Sequence, residues 1–119
     1  MSNQFGVPEI TPAEVNEKRE AGENFLLVDV REAHELTMAN LGDGVILMPL
    51  SQLAAHRLDA VPERVSADKD AEIVVFCHHG ARSAQVAAFL RGSGWINVIN
   101  MQGGIHMWAS TVSSDVGVY

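Results

Sequence analysis

The sequence lacks the features that several classes of protein require. One cysteine among 119 residues cannot form a disulfide within the chain, and it excludes a cysteine-rich zinc site. The 8 lysine and arginine residues are outnumbered by 15 aspartate and glutamate residues, for a formal net charge of -7. No apolar run approaches the roughly 20 residues of a membrane-spanning helix. Because nucleic acids and anionic membranes bind to basic surfaces, neither is an expected partner.

The beginning of the sequence also lacks the pattern of a secretory signal. Residues 1–8 contain neither a basic region nor an apolar stretch. A free thiol without such a signal is typical of a reducing compartment, so we expect a cytoplasmic protein. The chain length and its 47% hydrophobic residues fit a single globular domain. We expect residues 1–10 to be a loose lead-in and residues 11–119 to be that domain.

Apolar runs alternate with helical patterns along the chain. The runs that predict strands are residues 25–30, 45–48, 73–77 and 96–100. The helical patterns are residues 11–21, 32–38, 51–58 and 83–91, followed by a short helix after the glycines at 103–104. This alternation predicts an α/β fold with a central, mainly parallel sheet and helices on both faces. The serine-rich residues 110–119 are expected to pack loosely over the surface.

Cys77 ends the most hydrophobic predicted strand and opens a short loop before the clearest helix. In an open α/β sheet, ligands bind beyond the carboxyl ends of the strands. The free N–H groups and the dipole at a helix start favour negative charge, and therefore a thiolate. A lone cysteine at a strand end is more often a small buried hydrophobic residue. The two histidines, the glycine and the arginine that follow it are unusual for a core position and favour a functional loop.

The segment Cys-His-His-Gly-Ala-Arg-Ser at residues 77–83 resembles the active-site loop of the single-domain rhodaneses, which are thiosulfate and related sulfurtransferases. Residues 27–32 resemble the first strand of that family and its Asp-x-Arg signature, and residues 94–108 resemble its carboxyl-terminal signature. The resemblance covers about residues 11–108 and implies the rhodanese-like α/β fold. One departure is Asn40, which stands where members often carry a histidine, and the turn that follows it up to Val45 is altered.

The resemblance implies that Cys77 is the catalytic nucleophile of a two-step sulfur transfer. Its thiolate would take the outer sulfur of a small donor, thiosulfate or a persulfide, and the resulting persulfide would pass that sulfur to a thiol, cyanide or protein acceptor. The residues expected to bind substrate are His78, His79, Gly80, Ala81, Arg82 and Ser83. Arg82 would orient an anionic donor through its guanidinium group. No cofactor is implied.

Asp29 and Arg31 are expected to support the loop without reacting. Asp29 ends a predicted buried strand, so its carboxylate would hydrogen-bond the adjacent loop. Arg31 would form an ion pair with Glu35, one helical turn further on. His78 and His79 are adjacent and have no second ligand cluster in the sequence, so no metal site is predicted.

Two other functions remain open. A persulfide carrier or docking module would serve one protein partner with little turnover of small molecules. The second alternative is a phosphatase, because protein phosphatases of a related fold also place a cysteine before an arginine at a helix start. Four residues separate Cys77 from Arg82, one fewer than in those phosphatases, and this shorter loop favours sulfur transfer.

Overall fold

A computed structural model of the chain describes residues 4–119. Its strands are β1 (Glu9–Ile10), β2 (Leu26–Asp29), β3 (Ile46–Leu47), β4 (Ile73–Phe76) and β5 (Val98–Met101). Its α-helices are α1 (Pro12–Glu20), α2 (Leu50–His56), α3 (Glu63–Ser66), α4 (Ala81–Gly92) and α5 (Gly104–Thr111). Short 3-10 helices span Ala33–Thr37, Arg57–Ala60 and Ser114–Val116. None of the described helices is long and apolar enough to cross a bilayer.

The five strands form one parallel sheet in the order β1-β5-β4-β2-β3. The central strand β4 is buried at all four of its residues, as its continuous apolar run predicts. In the register of the sheet, Val75 lies between Val28 of β2 and Asn100 of β5. The predicted α/β fold with a parallel sheet is confirmed.

Alternate side chains along the strands pack on opposite faces of the sheet, because successive residues of a strand point in opposite directions. One face packs against α1 and α5 and includes Leu27, Val74, Phe76, Val15 and Trp108. The other face packs against α2, α3 and α4 and includes Val28, Ile73, Val75, Leu53, Val65 and Leu90. Helices therefore cover both faces. The N–H of Val30 donates to the carbonyl of Phe76 at 3.0 Å, so the loops after β2 and β4 start side by side.

Helix α1 begins with the capping box that its sequence predicts. Thr11 Oγ1 accepts a hydrogen bond from the N–H of Glu14 at 3.2 Å, and Glu14 Oε1 accepts one from the N–H of Thr11 at 3.1 Å. Pro12 occupies the first helical position, where the lack of an N–H group costs nothing. These reciprocal bonds satisfy backbone donors that have no partner inside the helix.

From Val7 onward, the segment expected to be a loose lead-in packs against the domain. Val7 is buried, and residues Glu9–Ile10 form the edge strand β1 beside β5. A strand of two residues is too short to show the two-residue periodicity that identifies strands in a sequence. Residues 1–3 lie outside the described part of the chain.

The C-terminal segment is also anchored more firmly than its polar composition predicts. Val112, Val116 and Tyr119 pack against the hydrophobic cluster that contains Trp108. The carbonyl of Val116 accepts a hydrogen bond from the N–H of Asn40 at 2.9 Å. These few spaced apolar side chains are enough to hold the segment against the domain.

Candidate active site

Cys77 lies directly after β4, and its side chain is buried, with 1% of the residue exposed. The chain then turns through Gly80, which caps α4 at φ +106°, a backbone conformation that favours glycine. A Cβ atom at Gly80 would also lie 3.2 Å from the main-chain nitrogen of Gly103. Glycine at this position therefore lets the loop turn inward and pack against the segment that leads into α5.

The sulfur of Cys77 is surrounded by hydrogen-bond donors. The main-chain N–H groups of Gly80 and Ser83 point at Sγ from 3.1 and 3.4 Å, and Ser83 Oγ lies 3.3 Å away. N–H groups in the first turn of a helix have no partner within the helix and lie at the positive end of its dipole. This environment favours negative charge on the sulfur.

A buried polar group, Asn100, supports the loop from the neighbouring strand. Its Oδ1 lies 2.5 Å from Ser83 Oγ, and its Nδ2 donates to the carbonyl of Gly80 at 3.2 Å and to Glu9 Oε2 at 2.9 Å. Asn100 is not among the site residues predicted from the sequence. Its sequence signal is an amide side chain inside an otherwise apolar strand. The register of β5 beside β4 is needed to show that this side chain reaches the loop.

Arg82 extends from α4 to Glu35 in the 3-10 helix Ala33–Thr37. Its Nη1 and Nη2 donate to the two oxygens of the Glu35 carboxylate at 2.8 and 2.9 Å. These hydrogen bonds from Arg82 are the main cause that lowers the pKa of Glu35 from 4.5 to about 2, although burial opposes the shift. The carboxylate in turn raises the pKa of Arg82, so the pair stays ionised.

The predicted ion pair between Arg31 and Glu35 is wrong, because Arg31 pairs with Asp29. The Arg31 guanidinium is fully buried, and its Nη2 lies 2.7 Å from Asp29 Oδ2. Asp29 Oδ1 also accepts from the main-chain N–H of Arg31 at 3.0 Å, so the carboxylate does bond within the loop beside it. Arg31 precedes the 3-10 helix, so helical spacing does not apply to it, and it reaches only the main-chain oxygen of Glu35.

Histidines from two elements meet at the edge of the loop. The ring of His78 stacks on Tyr119 with centroids 3.8 Å apart, and the ring of His79 lies 4.0 Å from that of His78. His106 of α5 approaches His79 to 4.7 Å. Burial and the neighbouring His79 lower the pKa of His78. Neither His106 nor Tyr119 was selected from the sequence, because both reach the loop only through the tertiary fold.

The structure brings all the predicted loop residues together around the start of α4. Ala81 and His79 are exposed, His78 and Arg82 are half-buried, and Ser83 is buried next to the sulfur. A shallow groove continues from the loop and is lined by Gln4, Phe5, Gly80, Ala81 and Ala84. The loop is thus accessible from one side while the sulfur itself stays enclosed.

Comparison with known proteins agrees with this geometry. The model of the Rhodanese-like domain family matches residues 11–111. The sulfurtransferase of Allochromatium vinosum is 35% identical over 104 residues, which cover 87% of this chain and 89% of that protein. The thiosulfate sulfurtransferase GlpE of Stutzerimonas stutzeri is 31% identical over 108 residues, covering 90% of this chain and 89% of that protein.

Longer proteins and solved structures also match. The chain spans only 26% of the probable adenylyltransferase/sulfurtransferase MoeZ of Mycobacterium tuberculosis, at 31% identity over 111 residues that make up 92% of this chain. The structure of a human single-domain sulfurtransferase superposes with a TM-score of 0.73 at 25% identity, covering 91% of this chain and all of that one. On the family match and the relatives of similar length, this chain belongs to the rhodanese-like domain family.

Proposed function

We propose that this protein transfers sulfane sulfur from a small donor such as thiosulfate to a thiophilic acceptor through a persulfide on Cys77. The observation that carries the proposal is the sulfur of Cys77 held within hydrogen-bond distance of the N–H groups of Gly80 and Ser83 at the start of α4. The names of relatives of similar length, sulfurtransferase and thiosulfate sulfurtransferase, support it.

In the first step, the Cys77 thiolate attacks the outer sulfur of thiosulfate. A new S–S bond forms on Cys77, the S–S bond of thiosulfate breaks, and sulfite leaves with the bonding electron pair. The product is a persulfide anion on the enzyme. The N–H groups of Gly80 and Ser83 stabilise negative charge at this position without moving, because the helix start already directs them inward.

In the second step, a nucleophilic acceptor attacks the outer sulfur of the persulfide. The enzyme S–S bond breaks, its electron pair returns to Cys77, and the thiolate is restored. With cyanide the product is thiocyanate; with a thiol acceptor it is a new persulfide. Neither step requires a general base from His78 or His79 once the thiol is ionised.

Arg82 is proposed to orient the anionic donor above the loop. Its side chain remains 35% exposed while it bonds Glu35, so part of the guanidinium is open to solvent. A guanidinium offers five N–H donors. The two bonds to Glu35 leave other N–H groups free to bond an oxygen of the sulfur donor. Asp29 and Arg31 are proposed to act indirectly, as a buried ion pair that shapes the loop beside the site.

The decisive variant is Cys77→Ser, assayed with thiosulfate and cyanide. Activity should fall on the order of a thousandfold or more, because a neutral hydroxyl is a weak nucleophile and cannot carry a persulfide. Intact mass after thiosulfate alone should show one added sulfur on the wild-type protein and none on the variant. Since Cys77 is the only cysteine, that mass identifies the site without further mapping.

Circular dichroism and thermal unfolding of the Cys77→Ser variant provide the control for folding. Retained turnover in a folded variant would contradict the covalent scheme. A stable wild-type persulfide with negligible turnover would instead identify a carrier that serves a protein acceptor.

A further inference from the structure

Three histidines converge beside the active-site loop without a proton-transfer role in the proposed sulfur transfer. His78 and His79 belong to the loop after β4, and His106 lies in the first turns of α5. One ring nitrogen from each lies within 4.8 Å of the ring nitrogens offered by the other two. The cluster therefore combines an adjacent pair with a third imidazole that the fold brings from a different element.

The backbone fixes these histidines relative to one another. The N–H of His106 donates to the carbonyl of His78 at 3.0 Å, and the N–H of Ile105 donates to the carbonyl of Cys77 at 2.9 Å. Gly104 lies so close to these carbonyls that a Cβ atom there would collide with them. The start of α5 and the loop thus form one unit, which fixes the backbone positions of the three histidines relative to one another.

The orientation of His78 is set by a main-chain oxygen. His78 Nε2 lies 2.7 Å from the oxygen of Tyr119, and its ring stacks on the Tyr119 ring. With Nε2–H as the donor, the lone pair of the ring lies on Nδ1. A histidine that ligates a metal commonly donates its other ring N–H to a carbonyl or carboxylate, so His78 already has this supporting contact.

The separations are within reach of a metal ion. Zinc–nitrogen bonds of about 2.0–2.1 Å at tetrahedral angles place donor nitrogens about 3.3 Å apart. Because no two of the ligand nitrogens are more than 4.8 Å apart, each pair must approach by at most about 1.5 Å. His79 and His106 are exposed, so their rings can rotate to close this gap without a shift of the backbone.

We propose that His78, His79 and His106 bind a divalent first-row transition metal of the zinc type, with the fourth position open to water or to an anionic ligand. Imidazole nitrogens suit zinc, copper and nickel, whereas magnesium and calcium prefer oxygen ligands. Three histidines with an open position is an arrangement that zinc adopts in proteins. The site includes His78 and His79 of the proposed sulfur-transfer loop, but metal binding there does not depend on sulfur transfer.

The test is metal binding by the full chain without a polyhistidine tag, in the Cys77→Ser background to remove the competing thiolate. Calorimetric titration with Zn²⁺ should show one site. Substitution of His79→Gln or His106→Gln should each weaken binding by about tenfold or more. The exposed histidines outside the cluster provide matched controls, and His34→Gln and His56→Gln should bind as the parent does.

Co²⁺ serves as the spectroscopic probe of the ligand set. Nitrogen ligation predicts visible bands without the intense sulfur-to-metal charge-transfer absorption of a thiolate complex, in both the wild-type and Cys77→Ser proteins. Zinc affinity that is unchanged by His106→Gln, or reduced equally by the His34 and His56 controls, would overturn the proposal. Loss of all binding in the Cys77→Ser background would overturn it as well, because the ligand would then be the thiolate.

Discussion

At the scale of single residues, the positive charge of Arg82 is already paired with the carboxylate of Glu35. Two of its N–H groups bond that carboxylate, and the carboxylate also accepts from the hydroxyl of Tyr119 at 2.9 Å. An anionic sulfur donor that approached the loop, as proposed, would therefore meet an ion pair and not a free cation. The affinity for an anionic sulfur donor should therefore increase when the Glu35 carboxylate no longer neutralises Arg82.

Opposite kinetic effects are predicted for the two members of this pair. Arg82→Ala should lower kcat/KM for thiosulfate by roughly ten- to a hundredfold through the loss of a charge-assisted contact. Glu35→Gln should lower the KM for thiosulfate, because Arg82 then keeps its full charge for the donor. Steady-state kinetics would measure both, with Arg64→Ala on the exposed face of α3 as the control.

Unchanged thiosulfate kinetics in a folded Arg82→Ala variant would limit Arg82 to a structural contact with Glu35. A KM that rises in Glu35→Gln would show that the carboxylate positions the guanidinium more than it neutralises it.

Apart from Asp29 and Arg31, the residues predicted from the sequence are contiguous in it. Residues 77–83 form the loop and the first turn of α4, so local pattern was enough to select them. Asn100, His106 and Tyr119 reach the same site through the register of β5, the docking of α5 and the return of the C-terminal segment. Such contacts depend on tertiary packing, and no spacing rule within one element indicates them.

At the scale of secondary structure elements, the size of the loop between β4 and α4 limits its chemistry. The loop 77–80 and the first turn of α4 place two N–H groups, those of Gly80 and Ser83, within 3.4 Å of the sulfur. A transferred phosphoryl group has three non-bridging oxygens, and each needs a donor at hydrogen-bond distance. We therefore expect the short loop to accommodate a single added sulfur atom more readily than a tetrahedral phosphoryl group.

Insertion of one glycine between Gly80 and Ala81 tests this limit. The wild-type protein should hydrolyse an aryl phosphate poorly, and the longer loop should gain hydrolysis while losing sulfur transfer. Release of the aryl alcohol and formation of thiocyanate would be measured on both proteins. A glycine inserted after Gly94, remote from the loop in sequence, controls for the added residue.

Hydrolysis by the wild-type protein at a rate comparable to its sulfur transfer would contradict the sulfurtransferase proposal. No gain from the insertion would show that loop length alone does not decide between the two chemistries.

The helices were predicted best where capping chemistry accompanies the apolar pattern. α1 has its capping box and its proline at the predicted positions. α4 begins at Ala81, two residues before the predicted start, because Gly80 caps it through a backbone conformation that the sequence does not display. The helical pattern at 32–38 corresponds to a 3-10 helix over Ala33–Thr37 and not to an α-helix.

At the scale of the whole molecule, the network around Glu35 joins three distant segments of the chain. The carboxylate bonds Arg82 of α4 and Tyr119 of the C-terminal segment, while Tyr119 also accepts from Arg31 at 3.0 Å. α4 packs on one face of the sheet, and Tyr119 packs against the hydrophobic cluster on the other face. Protonation of the Glu35 carboxylate should therefore lower the stability of the domain as a whole.

Stability is predicted to fall in acid through Glu35. Its pKa is lower in the folded chain, about 2, than its ordinary value of 4.5. The ionised carboxylate therefore stabilises the fold fully above about pH 4.5, and this contribution is lost as the pH falls toward 2. Urea unfolding should show Glu35→Gln to be less stable than wild type by about 1–2 kcal/mol at pH 7, a value reduced for the partial exposure of Arg82.

The difference in unfolding free energy between wild type and Glu35→Gln should decrease as the pH is lowered from 5 to about 2.5. Glu17→Gln, at an exposed position of α1, serves as the control and should match wild type at both extremes. A gap that stays constant with pH would show that the carboxylate does not contribute through its charge.

The pairing of β1 with β5 has a consequence for the order in which the chain folds. Glu9 pairs with Asn100, so the edge strand near the start of the sequence has no partner until residues about 90 positions later are available. During synthesis, the strands β2 and β4 can meet well before β1 finds its place. The amide of Asn100 that supports the Cys77 loop belongs to this late pairing. A nascent chain released early would therefore already contain Cys77 while the structure that encloses its thiol was still incomplete.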